Sequence, residues 1–201
     1  MIQKTLIFLW LLLVSLTARS QYFSGGFQLG ITANQIDGDG LGGYDHIGLQ
    51  AGFFTNRDLG GKWAGQLELM YIWRGSREPV SDTSNLFRAD LHQISIPLIA
   101  QYNYKRLVFE GGLSADLNII TKESNLYGSY EPDPAYYPLV LNSILGVSYK
   151  LTDATIINLR SHYSLSRIQD GRIVYRGPGL FDDWIKGKHS VTIAMALYFY
   201  F

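Results

Sequence analysis

The chain contains no cysteine. Disulfides, thiolate metal sites and a lipid anchor on an N-terminal cysteine are therefore excluded. It has no excess of either charge: Lys and Arg number 17, and so do Asp and Glu. Nothing in that balance suggests nucleic acid as a partner. Charged residues are scarce, at 17%, and beyond residue 20 no apolar run approaches the roughly 20 residues of a membrane-spanning helix. Aromatic residues nevertheless reach 14% and hydrophobic residues 47%. A chain this greasy without any greasy run must distribute its apolar residues by alternation.

The first residues read as an export signal. Lys4 gives the positive start, residues 6–16 are apolar apart from Ser15, and Ala18 and Ser20 are the small residues a signal peptidase reads. An uncleaved anchor is the alternative, but the run is short for one. Cleavage after Ser20 would divide the chain into a signal peptide, 1–20, and one domain, 21–201. Losing Lys4 and Arg19 takes the 17 basic residues to 15 against 17 acidic, a net of −2.

Period-two alternation predicts eight strands: 22–33, 46–55, 63–73, 90–104, 107–119, 139–151, 155–166 and 189–201. In the third, Trp63, Leu67, Leu69, Tyr71 and Trp73 share one parity, and Gln66, Glu68 and Met70 the other. In the last, Val191, Ile193, Met195, Leu197, Phe199 and Phe201 face one way and Ser190, Thr192, Ala194 and Ala196 the other. Connections after the second, fourth and sixth strands are short (56–62, 105–106, 152–154). Those after the first, third, fifth and seventh are long (34–45, 75–89, 120–138, 167–188). This alternation predicts an all-β fold: an eight-stranded antiparallel up-and-down transmembrane β-barrel with short periplasmic turns, long extracellular loops and both termini periplasmic. Phe23, Phe53, Trp63, Tyr102, Tyr104, Phe109, Tyr149, Phe199 and Phe201 share the outward parity beside the short turns, with Tyr71 and Trp73 near the opposite rim, as two interfacial girdles require. Leu197, Phe199 and Phe201 are expected to close the barrel and to signal its assembly in the bacterial outer membrane. Pro97, inside the fourth strand, is expected to mark a bulge or a missing ladder bond.

Eight strands leave a lumen that side chains can fill, so a diffusion pore is not expected. The inward set is polar, and Glu68, Glu110, Asp116, Lys150 and Arg160 are expected to form one lumenal charge network, because buried charges must be paired. An ion or proton path is the alternative. Asp37 and Asp39 in the first long loop have the look of a calcium loop, but the position where a closing Glu would fall is Gly48, so an Asp-Gly turn explains them. Gly25-Gly26 and Gly111-Gly112 sit within strands and allow curvature or close contact rather than cradling phosphate. No metal and no cofactor is expected.

Some segments resemble known proteins. His162-Tyr-Ser164 resembles the His-x-Ser pair of an outer-membrane lipid A deacylase, which would imply a serine hydrolase. Both residues have inward parity, however, and no Glu follows Ser164. Residues 93–102, Gln-Ile-Ser-Ile-Pro-Leu-Ile-Ala-Gln-Tyr, resemble the I-P-L-hydrophobic-x-Y segment of the PorT-like outer-membrane β-barrel family of Bacteroidetes. The Gly-rich segment 109–114 and the Arg-containing segment 159–165 are similar to strands of the same family. That resemblance implies an outer-membrane barrel and an accessory role in type IX protein secretion or gliding. It brings no catalytic motif. The expected function is therefore non-enzymatic, structural or protein-binding, acting through extracellular loops. Tyr127, Tyr130, Tyr136 and Tyr137 in one loop, and Tyr175, Phe181 and Trp184 in another, are the candidate contacts, since aromatic side chains bind at low entropy cost. Expected partners are outer-membrane lipid and lipopolysaccharide, the outer-membrane assembly machinery and another envelope protein.

Overall fold

A computed structural model describes residues 23–79, 86–170 and 187–201. The expected signal peptide, 1–20, and the loop residues Tyr175, Phe181 and Trp184 lie outside the described residues. The elements are β1 (Phe23–Asp37), β2 (His46–Gly60), β3 (Trp63–Arg77), β4 (Arg88–Tyr104), β5 (Leu107–Asn125), β6 (Gly128–Tyr130), β7 (Leu139–Lys150), β8 (Thr155–Ser164) and β9 (His189–Tyr200). Each long strand pairs antiparallel with its neighbours in the chain, β1 pairs with β9, and the β4–β5 pairing completes the circle. The result is a closed eight-stranded barrel. The three-residue β6 pairs back onto β5 as a hairpin above the wall.

Alternation dictates this closure. Along β9, Thr192, Ala194, Ala196 and Tyr198 are buried while Ile193, Met195 and Leu197 are exposed. The same inversion holds around the wall, where Leu98, Leu145 and Phe53 are each 65–70% exposed and Gln28, Asn142 and Asn158 are buried. An apolar exterior around a polar interior suits lipid, and a closed ladder leaves no backbone edge unpaired there.

Several strands run past their apolar alternation. β2 continues to Gly60 through a register shift between Asp58 and Gly60, which reduces its turn to 61–62. β5 reaches Asn125. Backbone pairing does not stop where side chains turn polar; it only leaves the hydrocarbon. At Pro97 no bulge forms. On the β5 side Pro97 pairs in register with Ser114. On the β3 side the ladder steps from Leu67↔Leu98 to Met70↔Ser95, skipping Ile96 and Pro97. The missing amide therefore costs ladder partners on one side only. The bulge in β4 falls at His92/Gln93 instead. Inside the short-turn end, Gly26 leaves room for the Phe54 ring: a Cβ there would lie 2.6 Å from Phe54 Cζ. Phe54 in turn packs on Tyr198 and Tyr200.

Candidate functional site

Three strands bring three charges together in the half of the lumen nearer the short turns. Arg160 on β8 donates from Nη1 to Glu68 on β3, at 2.9 and 3.0 Å to the two carboxylate oxygens, and from Nε to Glu110 on β5 at 2.7 Å. Tyr198 donates to Glu68 at 3.2 Å, and its ring lies 5.2 Å from the guanidinium. Gln101, Ser148 and Asn158 satisfy Glu110, and Gln66 donates to Glu68 at 2.6 Å. Every one of these side chains is buried; both carboxylates are paired and hydrogen-bonded, as buried charge requires, while Arg160 Nη2 and Asn158 Oδ1 have no hydrogen-bond partner among the described residues. Gly146 faces Arg160 across β7–β8 and Glu110 across β5–β7. A Cβ at Gly146 would lie 2.7 Å from Arg160 Cγ and 3.2 Å from Glu110 Oε2, so this glycine keeps the place for the ion pair.

Asp116 does not join that cluster. It lies six residues along β5 from Glu110, about 20 Å of strand away, and pairs with Arg74 at 2.6 Å. Ser95 and Asn142 donate to Asp116, and Arg74 Nη2 donates to His162 Nδ1 at 3.3 Å. The single expected network is therefore two. Arg74 escapes the sequence because apolar alternation in the third strand stops at Trp73; the parity of Glu68, Met70 and Ile72 carried one step further points Arg74 inward. Lys150 also departs from expectation. Its Nζ donates to Asn103 at 2.8 Å at the short-turn mouth and makes no ion pair with the lumenal carboxylates. Gly146, not Lys150, faces Glu110, and four residues of strand, about 13 Å, put the ammonium out of reach.

These clusters sit between two basins. A cavity of about 410 Å³ opens at the short-turn end, lined by Asn56, Asp58, Asn103, Lys150, Asp153 and Tyr200 among others. Another, of about 510 Å³, lies at the long-loop end against Asp39, Glu78, Glu123, Tyr130 and Lys188. Between them the lumen is filled by Arg74, Arg160, Met70, Ile72, Ile99 and Ile144, all buried. An apolar cap of Ile36, Ala89, Leu91, Tyr136, Val140 and Ile168 adds a further layer.

The loop tyrosines divide. Tyr136 is buried in that cap and donates to Glu123 at 2.9 Å. Burial and the Glu123 carboxylate push its phenol well above the ordinary tyrosine range, which keeps it a donor. Tyr137 is tied to Asp170 at 2.6 Å, and Tyr130 stands opposite Glu123 on the β5–β6 hairpin. Tyr127, 95% exposed, projects from the tip of that hairpin.

The hydrolase constellation is not assembled. His162 and Ser164 are 1% and 0% exposed, inside the wall. Arg74 occupies His162 Nδ1, while Ser164 Oγ accepts the Ser190 amide at 2.8 Å. Asp39 Oδ1 accepts the Leu41 amide at 2.8 Å, an Asx turn. Among the described residues no group of three His, Cys, Asp or Glu side chains is gathered for a metal ion.

Replacing Glu110 with glutamine should lower unfolding free energy by about 1–3 kcal/mol, since a charge-assisted bond is lost while Arg160 keeps Glu68. Planar-bilayer recordings should show no discrete conductance steps in either protein. Steps from the unaltered chain would refute a filled lumen.

Residues 17–170 match the family model described as outer membrane protein beta-barrel domain. No curated protein matches the chain in sequence. Among solved structures, Ail, the attachment invasion locus protein of Yersinia pestis, aligns with a TM-score of 0.53 at 14% identity in its complex with the heparin analogue sucrose octasulfate. A second Ail structure gives 0.53 at 12% identity, and both alignments cover 90% of this chain and 100% of Ail. Neisserial surface protein A gives a TM-score of 0.48 at 12% identity, covering 89% of this chain and 97% of that one. At such identities the Ail likeness speaks for the barrel fold alone.

Proposed function

Because this chain belongs to the outer membrane protein β-barrel domain family, and is thus a β-barrel protein of the outer membrane, we propose that it is a non-enzymatic docking protein. In this reading the short turns face the periplasm, both ends of the chain lie there, the lumen stays sealed, and the β5–β6 hairpin meets a partner protein outside the cell.

One observation carries the reading. Leu126 and Tyr127 are 58% and 95% exposed at the tip of a hairpin whose backbone is already fixed. The pairs Glu123↔Tyr130, Ser124↔Ser129 and Asn125↔Gly128 hold its stem, and Asn125 Oδ1 accepts the Tyr127 amide at 2.9 Å. An aromatic held ready in this way loses little entropy on binding, the usual property of an interface anchor. The resemblance of residues 93–102 to PorT-like barrels supports seeking that partner among envelope components of type IX secretion or gliding. The geometry offers no comparable support for lipid A hydrolysis.

A photo-crosslinking residue in place of Ser129, beside the tip, should capture a defined envelope protein in native membranes. Tyr127→Ala should reduce that adduct at least tenfold, and Tyr136→Phe, inside the cap, should leave it unchanged. An adduct that persists in Tyr127→Ala would sink the docking hairpin.

A further inference from the structure

The outward face of β3, β4 and β5 at the long-loop end carries a cationic patch that neither lumen nor hairpin uses. Arg77 and Arg88 are direct cross-strand partners, and on the next strand Lys122 lies opposite Asp90. Like charges placed opposite one another destabilise a sheet unless a counter-charge is present. Asp90 is already engaged: it binds Arg88 Nε at 2.8 Å and accepts bonds from Trp73 Nε1 at 2.9 Å and His46 Nε2 at 3.0 Å. The Arg88 guanidinium lies 5.3 Å over the Trp73 ring, and His92 stacks on the same indole with centroids 5.4 Å apart. No carboxylate among the described residues forms an ion pair with Arg77 or Lys122. Three cations thus share this stretch of sheet with one acid, beside the Trp73 ring.

The height of this patch identifies what covers it. Trp63 and Trp73 both face outward on β3, ten residues apart. At about 3.3 Å per residue and a tilt of about 40°, they span roughly 25 Å, the thickness of a barrel's apolar band. Trp73 therefore stands at one interface and Arg77, Arg88 and Lys122 just beyond it, at headgroup level. On other strands of the wall near this end Ile47, Leu139, Leu141 and Ile193 are exposed, and the exposed Arg167 is already paired with Asp170 at 3.0 Å. Arg77, Arg88 and Lys122 share one sector of the wall. Arg77 and Lys122 lie on strands two apart, about 10 Å across the sheet at normal strand spacing, a separation that lets the patch meet two phosphates of one headgroup.

We propose that Arg77, Arg88 and Lys122, floored by Trp73, bind a glycolipid of the outer leaflet whose headgroup carries two phosphates, a lipid A-class molecule. The guanidiniums clamp one phosphate between β3 and β4, and Lys122 meets the second as a point charge. The assignment to the outer leaflet rests on the orientation proposed above.

The test uses the full chain purified in detergent and mixed with bisphosphorylated lipid A, its dephosphorylated form, phosphatidylglycerol or inorganic phosphate, with bound lipid read by native mass spectrometry. The unaltered chain should retain bisphosphorylated lipid A at least tenfold better than each other probe. Arg77→Gln/Lys122→Gln should lose that preference, and Lys62→Gln/Lys105→Gln at the opposite rim should keep it. Arg77 and Lys122 are exposed, and a preserved gel shift on boiling would verify that the variant folds. Equal retention by the Arg77→Gln/Lys122→Gln variant would overturn the site, and equal retention of phosphatidylglycerol would overturn the glycolipid. Labelling a Tyr127→Cys variant on intact cells reads orientation separately, because detergent retention is the same whichever way the barrel sits.

Discussion

Replacing Arg160 with alanine is expected to lower the unfolding free energy by about 3–5 kcal/mol, the cost of leaving buried charge uncompensated. Arg160 is the only cation that either Glu68 or Glu110 pairs with among the described residues. Without it, two buried carboxylates from β3 and β5 share the lumen with only neutral donors. The measurement is equilibrium urea unfolding in lipid vesicles, with the temperature at which gel migration changes on heating as a second readout. The origin of the loss can be isolated. Adding Glu68→Gln and Glu110→Gln to Arg160→Ala should recover most of the stability, because the penalty belongs to the unpaired charges rather than to the missing contacts. If Arg160→Ala were as stable as the unaltered chain, the carboxylates could not be buried as described. If the triple variant were no better than the single, packing by the long arginine side chain would be the larger contribution.

Leu69→Arg is expected to cost about 2–4 kcal/mol, and Leu107→Arg only about 0–1 kcal/mol. Both leucines point outward and both are exposed to whatever surrounds the barrel, Leu69 at 56% and Leu107 at 37%. They differ in depth. Leu69 stands between the two tryptophans of β3, near mid-height, while Leu107 opens β5 beside the turn 105–106. In water both substitutions would be close to neutral, since neither side chain is packed inside. A depth-dependent penalty arises only from lipid. Reversible refolding into vesicles measures it, and equal small effects at both positions would contradict a lipid-facing wall.

The candidate sites differed in how legible they were. Glu68, Glu110 and Arg160 could be picked out because parity alone turns them inward, and three charges inside a narrow barrel have few neighbours other than one another. Which charge meets which depends on height along tilted strands. Parity says nothing about that, and so Asp116 pairs with Arg74 and Lys150 with Asn103. Arg74 is hidden for a related reason: the apolar alternation ends before the strand does. The loop tyrosines were legible only as a group. Tyr136 and Tyr137 are adjacent in the chain, yet one is buried within the cap and the other bonds Asp170 at the surface. The outward cations went unread because Arg77, Arg88 and Lys122 fall in segments that look like loop, and they become neighbours only once β3, β4 and β5 extend past the apolar band.

By itself, the sequence determined the class of the fold. Alternation that puts polar residues on one face and apolar residues on the other, with short and long connections in turn, admits a closed barrel in lipid and little else, because a sheet in hydrocarbon cannot leave an edge unpaired. It also determined which side chains enter the lumen, since that follows from a period of two. Tertiary structure alone decided the stagger between strands, and with it the two ion-pair clusters, the Gly146 vacancy beside Arg160, the cap over the lumen and the hairpin that lifts Tyr127 clear. Those depend on register, the sum of all the ladder bonds around a closed ring, and no local stretch of residues contains it.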